Sequence, residues 1–398
     1  MKTLTVAVIG AGFAGNFHCN AYKKVNTVQI RLKTIVDNQT ERAKALQDRW
    51  GFEVVTSDYD SVLADPEIDL IDITLPPVLH IPFSIKALNA GKHVICEKPL
   101  TGYFGKPEDE APIGLTVSKR KMFDTLMAEM ESVKEAVANS SAQFMYAENY
   151  VYSPAVVKAA EILRHKKTRV LYSIGECSIH GSTSVLSSDW KFVGGGTLMR
   201  LGSHPIAGIL YLKQVEAEAH GENIWVKSVS CDVGQISTTL TTEERKHLRA
   251  DPHDVEDFAT ITLTFSDGSK SVILSNDNTM GGIHNVIKLY GNDGVMECNM
   301  TPANNMMTYF ADQDGLEDVY ISECLDRKVG WNNVFVAEET LRGYTQELTA
   351  FAECAAENRR AQSDFKIAYD TVRIMYAGYL SAEEGRRVDF DEGGNILE

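Results

Sequence analysis

Apolar residues recur along the first hundred positions in two alternating rhythms. Near-continuous β-branched runs, "LTVAVIG" at 4–10, "VQIRLKTIVD" at 28–37, "FEVV" at 52–55, "IDLIDITLP" at 68–76 and "HVICEKP" at 93–99, read as strands. Between them, 13–24, 39–50 and 83–91 carry apolar positions at helical spacing. Alternation at this pitch predicts parallel strands joined by right-handed crossovers, a doubly wound α/β sheet.

After Pro99 the rhythm breaks. The stretch "LTGYFGKPEDEAPIGL" at 100–115, rich in Gly, Pro and acids, reads as an irregular loop inserted into the first domain. A helix follows, with Met122, Leu126, Met130, Val133 and Val137 at i+3/i+4 spacing. From about 143 the pattern turns strand-like, at 143–151, 168–180, 223–233 and 257–265. Hairpin turns are expected at "SDGS" (266–269) and "NDG" (292–294). Two amphipathic helices close the chain, at 337–356 and 365–384. The expected organisation is therefore residues 1–142, a doubly wound α/β domain, and 143–398, an α+β domain on a mainly antiparallel sheet.

Composition changes this picture mainly by exclusion. The chain has 398 residues, 44% apolar and 24% charged, which suits two globular domains. No apolar run approaches the ~18–20 residues of a membrane helix. The apolar N-terminus lacks a cleavage site and runs straight into glycines that belong to the fold. A net charge of −16 disfavours nucleic acid and anionic membranes as partners. Seven cysteines (19, 96, 177, 231, 298, 324, 354) are scattered with no CxxC pair, as expected in a reducing cytoplasm and against a cysteine-built metal site.

Candidate chemistry begins at "GAGFAG", which supplies Gly10, Gly12 and Gly15, with Phe13 and Ala14 between, after a strand and at a helix start. The first glycine permits the tight turn, the second lets backbone approach a pyrophosphate, and the third allows close helix–strand packing. Asp37 ends the second strand roughly 20 residues further on, the spacing of an acid that binds ribose hydroxyls and repels a 2′-phosphate. NAD is thus favoured over NADP. A glycine turn without nucleotide, and Asp37 as an ordinary strand-end acid, are the plainer alternatives.

Together with "CEKPL" (96–100), "LPPVLH" (75–80) and "GGGTLMRLGSHP" (194–205), that turn makes the chain resemble the Gfo/Idh/MocA family, named for glucose–fructose oxidoreductase and inositol dehydrogenase. The resemblance runs through nearly the whole chain. It implies an open-faced sheet domain after the dinucleotide-binding domain, and substrate between them. It further implies that Pro76, Pro77 and His80 lie along the nicotinamide side, with Glu97 and Lys98 beside the ring and Lys98 at the reacting hydroxyl. Hydride leaves a carbon as its hydroxyl proton departs, so such a site needs a proton acceptor and a group that steadies negative charge.

The family usually carries an aspartate four residues before the histidine of "GGGTLMRLGSHP"; here that position is Arg200, preceding His204. If the stretch is helical the two share a face. An aspartate would favour the imidazolium, whereas an arginine disfavours it, leaving His204 able to accept a proton while Arg200 anchors a carboxylate or polyhydroxy group. The alternative is that Arg200 pairs with a structural acid.

Strand 168–180 offers Val170, Tyr172 and Ile174 giving way to Glu176, Ser178 and His180 on one face, and "AENYVYS" offers Glu148, Tyr150 and Tyr152. Such groups suit a polyol, and equally an exposed sheet face. Glu148, Glu176, His180 and His204 lack metal-ligand spacing, so no metal is expected. Trp190 is either a cleft wall or core.

The leading expectation is a cytoplasmic NAD-dependent oxidoreductase moving hydride between nicotinamide and a secondary alcohol of a sugar, sugar acid or cyclitol. Lys98 and His204 would handle the proton and Arg200 the substrate. One rival is a glycoside-cleaving enzyme that oxidises transiently, with Tyr150, Tyr152 or His180 as an extra base. Another is a non-catalytic dinucleotide-binding or sensing protein. The family's open sheet face implies a homo-oligomer, dimer or tetramer.

Overall fold

A computed structural model describes residues 2–303, 305–321 and 327–397; Cys324 lies outside them. The N-terminal strands are β1 (Thr3–Ile9), β2 (Gln29–Val36), β3 (Val54–Thr56), β4 (Leu70–Ile73), β5 (His93–Glu97) and β6 (Phe144–Ala147). They form one sheet in the order β3-β2-β1-β4-β5-β6, every pair parallel. Helices Phe13–Tyr22, Thr40–Trp50 and His80–Asn89 make crossovers, as expected. β1 and β4 are buried almost throughout because helices cover both faces of such a sheet.

Further strands follow: β7 (Val170–Ser178), β8 (Val226–Gly234), β9 (Phe258–Phe265), β10 (Lys270–Asn276), β11 (His284–Gly291), β12 (Val295–Asn299), β13 (Met306–Phe310) and β14 (Gly330–Val334). With the C-terminal β15 (Val388–Phe390) and β16 (Ile396–Leu397) they build a sheet ordered β12-β11-β7-β10-β9-β8-β15-β16, and a separate β13-β14 pair. Among the described residues of that larger sheet, β7 and β10 alone pair in parallel. Both expected hairpin turns are present, joining β9 to β10 and β11 to β12. Along β9 buried Ala259, Ile261, Leu263 and Phe265 alternate with part-exposed threonines. Helix Ser203–His220 packs on the buried face, and Gly175 marks where it presses: a Cβ there would come within 2.8 Å of Pro205.

Three readings need correction. The strand within 143–151 does not head the second sheet; it is β6, the last parallel strand of the first, with Val94 opposite Phe144 and Glu97 opposite Ala147. Its run Phe144–Ala147 is buried on both faces, the mark of a covered parallel strand. Second, the chain divides into two compact units that interleave in sequence: 1–102, 124–152 and 343–372 form one, and 103–123, 153–342 and 373–398 the other. The loop at 100–115 is thus mostly part of the second unit. There Gly114 N–H donates to Asp254 at 2.9 Å, and the Tyr103 carbonyl accepts from Trp190 Nε1 at 3.1 Å. Third, the helix expected over 337–356 is broken. Gly343 (φ 93°) separates Glu338–Leu341 from Tyr344–Glu357, a conformation that glycine adopts without steric cost.

Candidate active site

At the carboxyl edge of the parallel sheet, β1 turns into helix Phe13–Tyr22 through the three glycines, which turn out to have different reasons for being glycine. Gly10 has φ 110°, and a Cβ there would lie 2.8 Å from the Thr74 carbonyl oxygen. At Gly15 a Cβ would sit 2.1 Å from the Gly10 carbonyl oxygen, so close helix–strand contact forbids any side chain. Gly12 has φ −81°, and a Cβ there would meet nothing within 4 Å. Neither backbone conformation nor packing requires glycine at 12; what its bare backbone leaves is open space at a helix N-terminus, the cradle a pyrophosphate fills. Phe13 is largely exposed and Ala14 partly so at that same end. A dinucleotide therefore fits the residues present.

Asp37, just past β2, grips this turn: Oδ2 accepts from Ala11 N–H at 2.8 Å and Oδ1 from Gln39 N–H at 2.7 Å. Each oxygen retains a lone pair, so the same carboxylate can also accept from ribose hydroxyls. Pro76 is exposed and Pro77 half-buried, at the start of a short 3₁₀ turn. His80 is placed differently from expectation. It is fully buried, with Nδ1 2.8 Å from the Pro99 carbonyl and Nε2 2.8 Å from the Leu75 carbonyl. Burial pushes its pKa down despite both carbonyls, and a ring with one N–H donates to only one of them; the buried ring is a packing group rather than a lining one.

Glu97 closes β5, and Lys98 follows it, half-buried. Glu97 Oε2 accepts the Lys98 backbone N–H at 2.9 Å, and Oε1 lies 3.1 Å from Nε2 of His18. Burial alone would raise the Glu97 carboxyl; His18, with Lys98 nearby, outweighs it and holds the group below the usual carboxylate range. The other His18 nitrogen stands 3.0 Å from both Asp72 oxygens, and Tyr22 Oη donates to Asp72 at 2.9 Å. The motifs did not single out this chain of side chains. Its signal was present: Gly15, His18, Cys19 and Tyr22 fall on one helix stripe, and Asp72 interrupts an apolar strand.

Tyr150 and Tyr152, offered as substrate contacts, belong to the first unit and are buried. The Tyr152 hydroxyl accepts from Ser363 N–H at 3.0 Å and its ring meets Phe351 edge-on.

In the second unit, Arg200 lies in a single π-helical turn, Leu198–Gly202, that feeds helix Ser203–His220 carrying buried His204. The guanidinium pairs with Asp277. Both line a cavity of about 270 Å³ with Arg249, Glu256, Asp257 and the hydroxyl-rich 182–188 stretch. Glu256 clamps the glycine run: Oε2 accepts from Gly196 N–H and Oε1 from Leu198 N–H, both at 2.9 Å, and Tyr379 Oη donates to Oε1 at 2.8 Å. Burial dominates these bonds and pushes its pKa up to about 7.

Glu176 and His180 are not brought together. Glu176 shares the exposed sheet face with Tyr172 and Ile174, bonded to Ser178 Oγ and to His284, both at 2.8 Å. His180 Nε2 meets the His247 carbonyl at 2.6 Å. Val170 leaves that face because the β7–β11 register shifts beside it. Trp190 is core, packed on Tyr379 with its Nε1 bonded to Tyr103. Among the described residues no three His, Cys, Asp or Glu side chains are placed to hold a metal ion, and no helix is long and apolar enough to cross a membrane.

Comparison with known proteins bears on this geometry. Residues 4–109 match the model of the GFO_IDH_MocA oxidoreductase family, NAD-binding Rossmann fold, and 176–297 match the GFO/IDH/MocA C-terminal domain, together more than half of the chain. A levoglucosan dehydrogenase of Pseudarthrobacter phenanthrenivorans is 26% identical over 339 residues, 80% of each chain. The crystal structure of GenD2 from gentamicin A biosynthesis in complex with NAD superposes with a TM-score of 0.76 at 20% identity, covering 98% of this chain and 97% of that one. The structure of myo-inositol 2-dehydrogenase from Lactobacillus plantarum gives 0.72 at 18% identity, covering 98% and 100%. These structures share the fold.

Proposed function

The chain belongs to the Gfo/Idh/MocA family of NAD-binding oxidoreductases, and from there we propose that it oxidises a secondary alcohol of a sugar, sugar acid or cyclitol, or runs the reverse reduction. The observation that carries the proposal is the space beside Gly12, which nothing in the fold itself demands. NAD, when bound, supplies the hydride acceptor at nicotinamide C4. Gly10, Gly12 and Gly15 shape the turn that receives its pyrophosphate, and Asp37 receives ribose hydroxyls and repels a 2′-phosphate.

Lys98 is the group that meets the reacting hydroxyl. Its ammonium steadies the negative charge that develops on oxygen as hydride departs. His204 accepts the proton. Arg200 and Asp277 present a matched pair at the wall of the cavity, where Arg200 and Arg249 stand against Asp251, Glu256, Asp257 and Asp277. That excess of acids, with the hydroxyls of Ser182, Thr183 and Ser184, favours a neutral polyhydroxy ligand over a carboxylated one. We take the enzyme to be a cytoplasmic homo-oligomer. Support comes from cysteines scattered along the chain with no CxxC pair, and from an exposed sheet face on which Tyr172 stacks with Tyr290 near Ile174 and Val272.

The test follows NADH absorbance with levoglucosan, myo-inositol, neutral hexoses and uronates, with NAD and NADP in parallel. Turnover with NAD, neutral substrates ahead of uronates, and loss of about 10³-fold in kcat/KM for Lys98→Ala are expected. Lys98→Ala with undiminished turnover would remove Lys98 from the chemistry.

A further inference from the structure

We propose that His18, bonded through Nδ1 to Asp72 and through Nε2 to Glu97, is a positioning residue for Lys98. The inference rests on the reading of Lys98 given above. His18 is 1% exposed and cannot touch a substrate. What it touches is the carboxylate that holds the Lys98 main chain. Glu97 has one oxygen on His18 and the other on the Lys98 N–H, so the carboxylate is gripped at both oxygens. A glutamate free to rotate regains rotamer entropy, and with 19% of its side chain exposed Glu97 has somewhere to go. Once the bond from His18 is lost, the Lys98 amide keeps its acceptor only part of the time. The backbone from which the amine projects then loosens.

The imidazole suits this task only as a cation. A neutral ring has one N–H and would turn a lone pair toward one of its two carboxylates. Burial pushes the His18 pKa down, but Asp72 and then Glu97 overcome it and raise it well above 6.5. The remaining groups around the ring agree with a cation there. Tyr22, on the same helix, donates to Asp72. Cys19, beside it, keeps its proton because burial raises the thiol pKa. Glu347, from helix Tyr344–Glu357, has its carboxyl pushed well up by burial, against the pull of His18 and with Glu97, Glu148 and Asp72 adding to the rise. Asp72 and Glu97 thus flank one imidazolium, and Glu97 alone continues to Lys98, an alternation of charge that is costly to break at one of its buried members alone.

The experiment compares His18→Gln, whose amide nitrogen can still donate to Glu97, with His18→Leu and His18→Asn, which cannot reach it. Kinetics use the best polyol of the panel. Hydrogen–deuterium exchange is read on the peptide spanning 94–103, and stability is measured alongside. In His18→Leu, or in His18→Asn should the former not fold, kcat is expected to fall about tenfold with KM for NAD changed by less than about twofold, while exchange in that peptide rises about tenfold. His18→Gln is expected to recover most of both. Equal behaviour of the Gln and Leu variants, or unaltered exchange in the peptide, overturns the proposal. A purely structural His18 would instead lower stability and speed exchange throughout Phe13–Tyr22 without separating the variants. Full activity in Lys98→Ala would refute the reading of Lys98 itself, and the exchange result would then judge His18 independently.

Discussion

Glu97 and Glu256 are both glutamates that receive backbone N–H groups, one in each unit, and they end in opposite electrostatic states. Glu97 is held as a carboxylate below its usual range, whereas Glu256 is pushed up to about 7. The number of bonds does not explain the difference. Glu256 has three donors, the N–H groups of Gly196 and Leu198 and the Tyr379 hydroxyl, against two partners on Glu97. All three donors are neutral, while one partner of Glu97 is an imidazolium. Neutral dipoles do not offset the burial of a charge here, and a bonded cation does.

The largest effect on this contrast should come from removing a cation in the second unit. Arg200→Ala leaves Asp277, only 7% exposed, without its counter-charge, and burial already pushes that carboxyl up. A loss of about 3–5 kcal/mol in denaturant unfolding is expected, largely recovered in the double variant with Asp277→Asn. Arg200→Asp, which restores the family's residue, should be no better than Arg200→Ala, because it sets one acid against another.

Glu256 offers the next largest effect, and it depends on pH. Its folded pKa of about 7 lies above the ordinary 4.5. Between those values the unfolded chain has released the proton and the native protein has not, so stability falls as pH rises through that window and levels off above it. The share of this group should be about 3 kcal/mol, and Glu256→Gln should lessen the slope in melting experiments between pH 4.5 and 7 by that amount, leaving the part that Glu347 and Asp277, also pushed up by burial, contribute.

Two hydroxyl deletions make the finest comparison. Tyr379→Phe and Tyr22→Phe each remove a donor from a carboxylate, and each should cost about 1–2 kcal/mol. Only Tyr379→Phe should carry the pH window of stability upward, because Asp72 keeps the His18 imidazolium whereas the donors left on Glu256 are neutral backbone groups. An equal shift in both variants would dissolve the distinction between the two sites.

Much of this molecule was legible in its residues. The turn "GAGFAG", the acid at 37 and the strand–helix alternation all act over short stretches, where backbone conformation follows local chemistry. Gly10 and Gly15 are dictated by contacts with elements already implied by the motif. Less legible was any feature whose partner lies far away in the chain. β6 looked like the beginning of a new domain because its place beside β5 is set after the 103–123 excursion. Trp190 found a carbonyl at Tyr103, and Arg200 found an acid at 277.

The class of sheet and the dinucleotide turn are each written in neighbouring residues, and reading the chain was enough to find them. Which charges are compensated was fixed only on folding, which set His18 against Glu97 and left neutral donors around Glu256. The reason is that a buried ion's state depends on what the fold brings within a few ångströms, and distance along the chain carries no record of that.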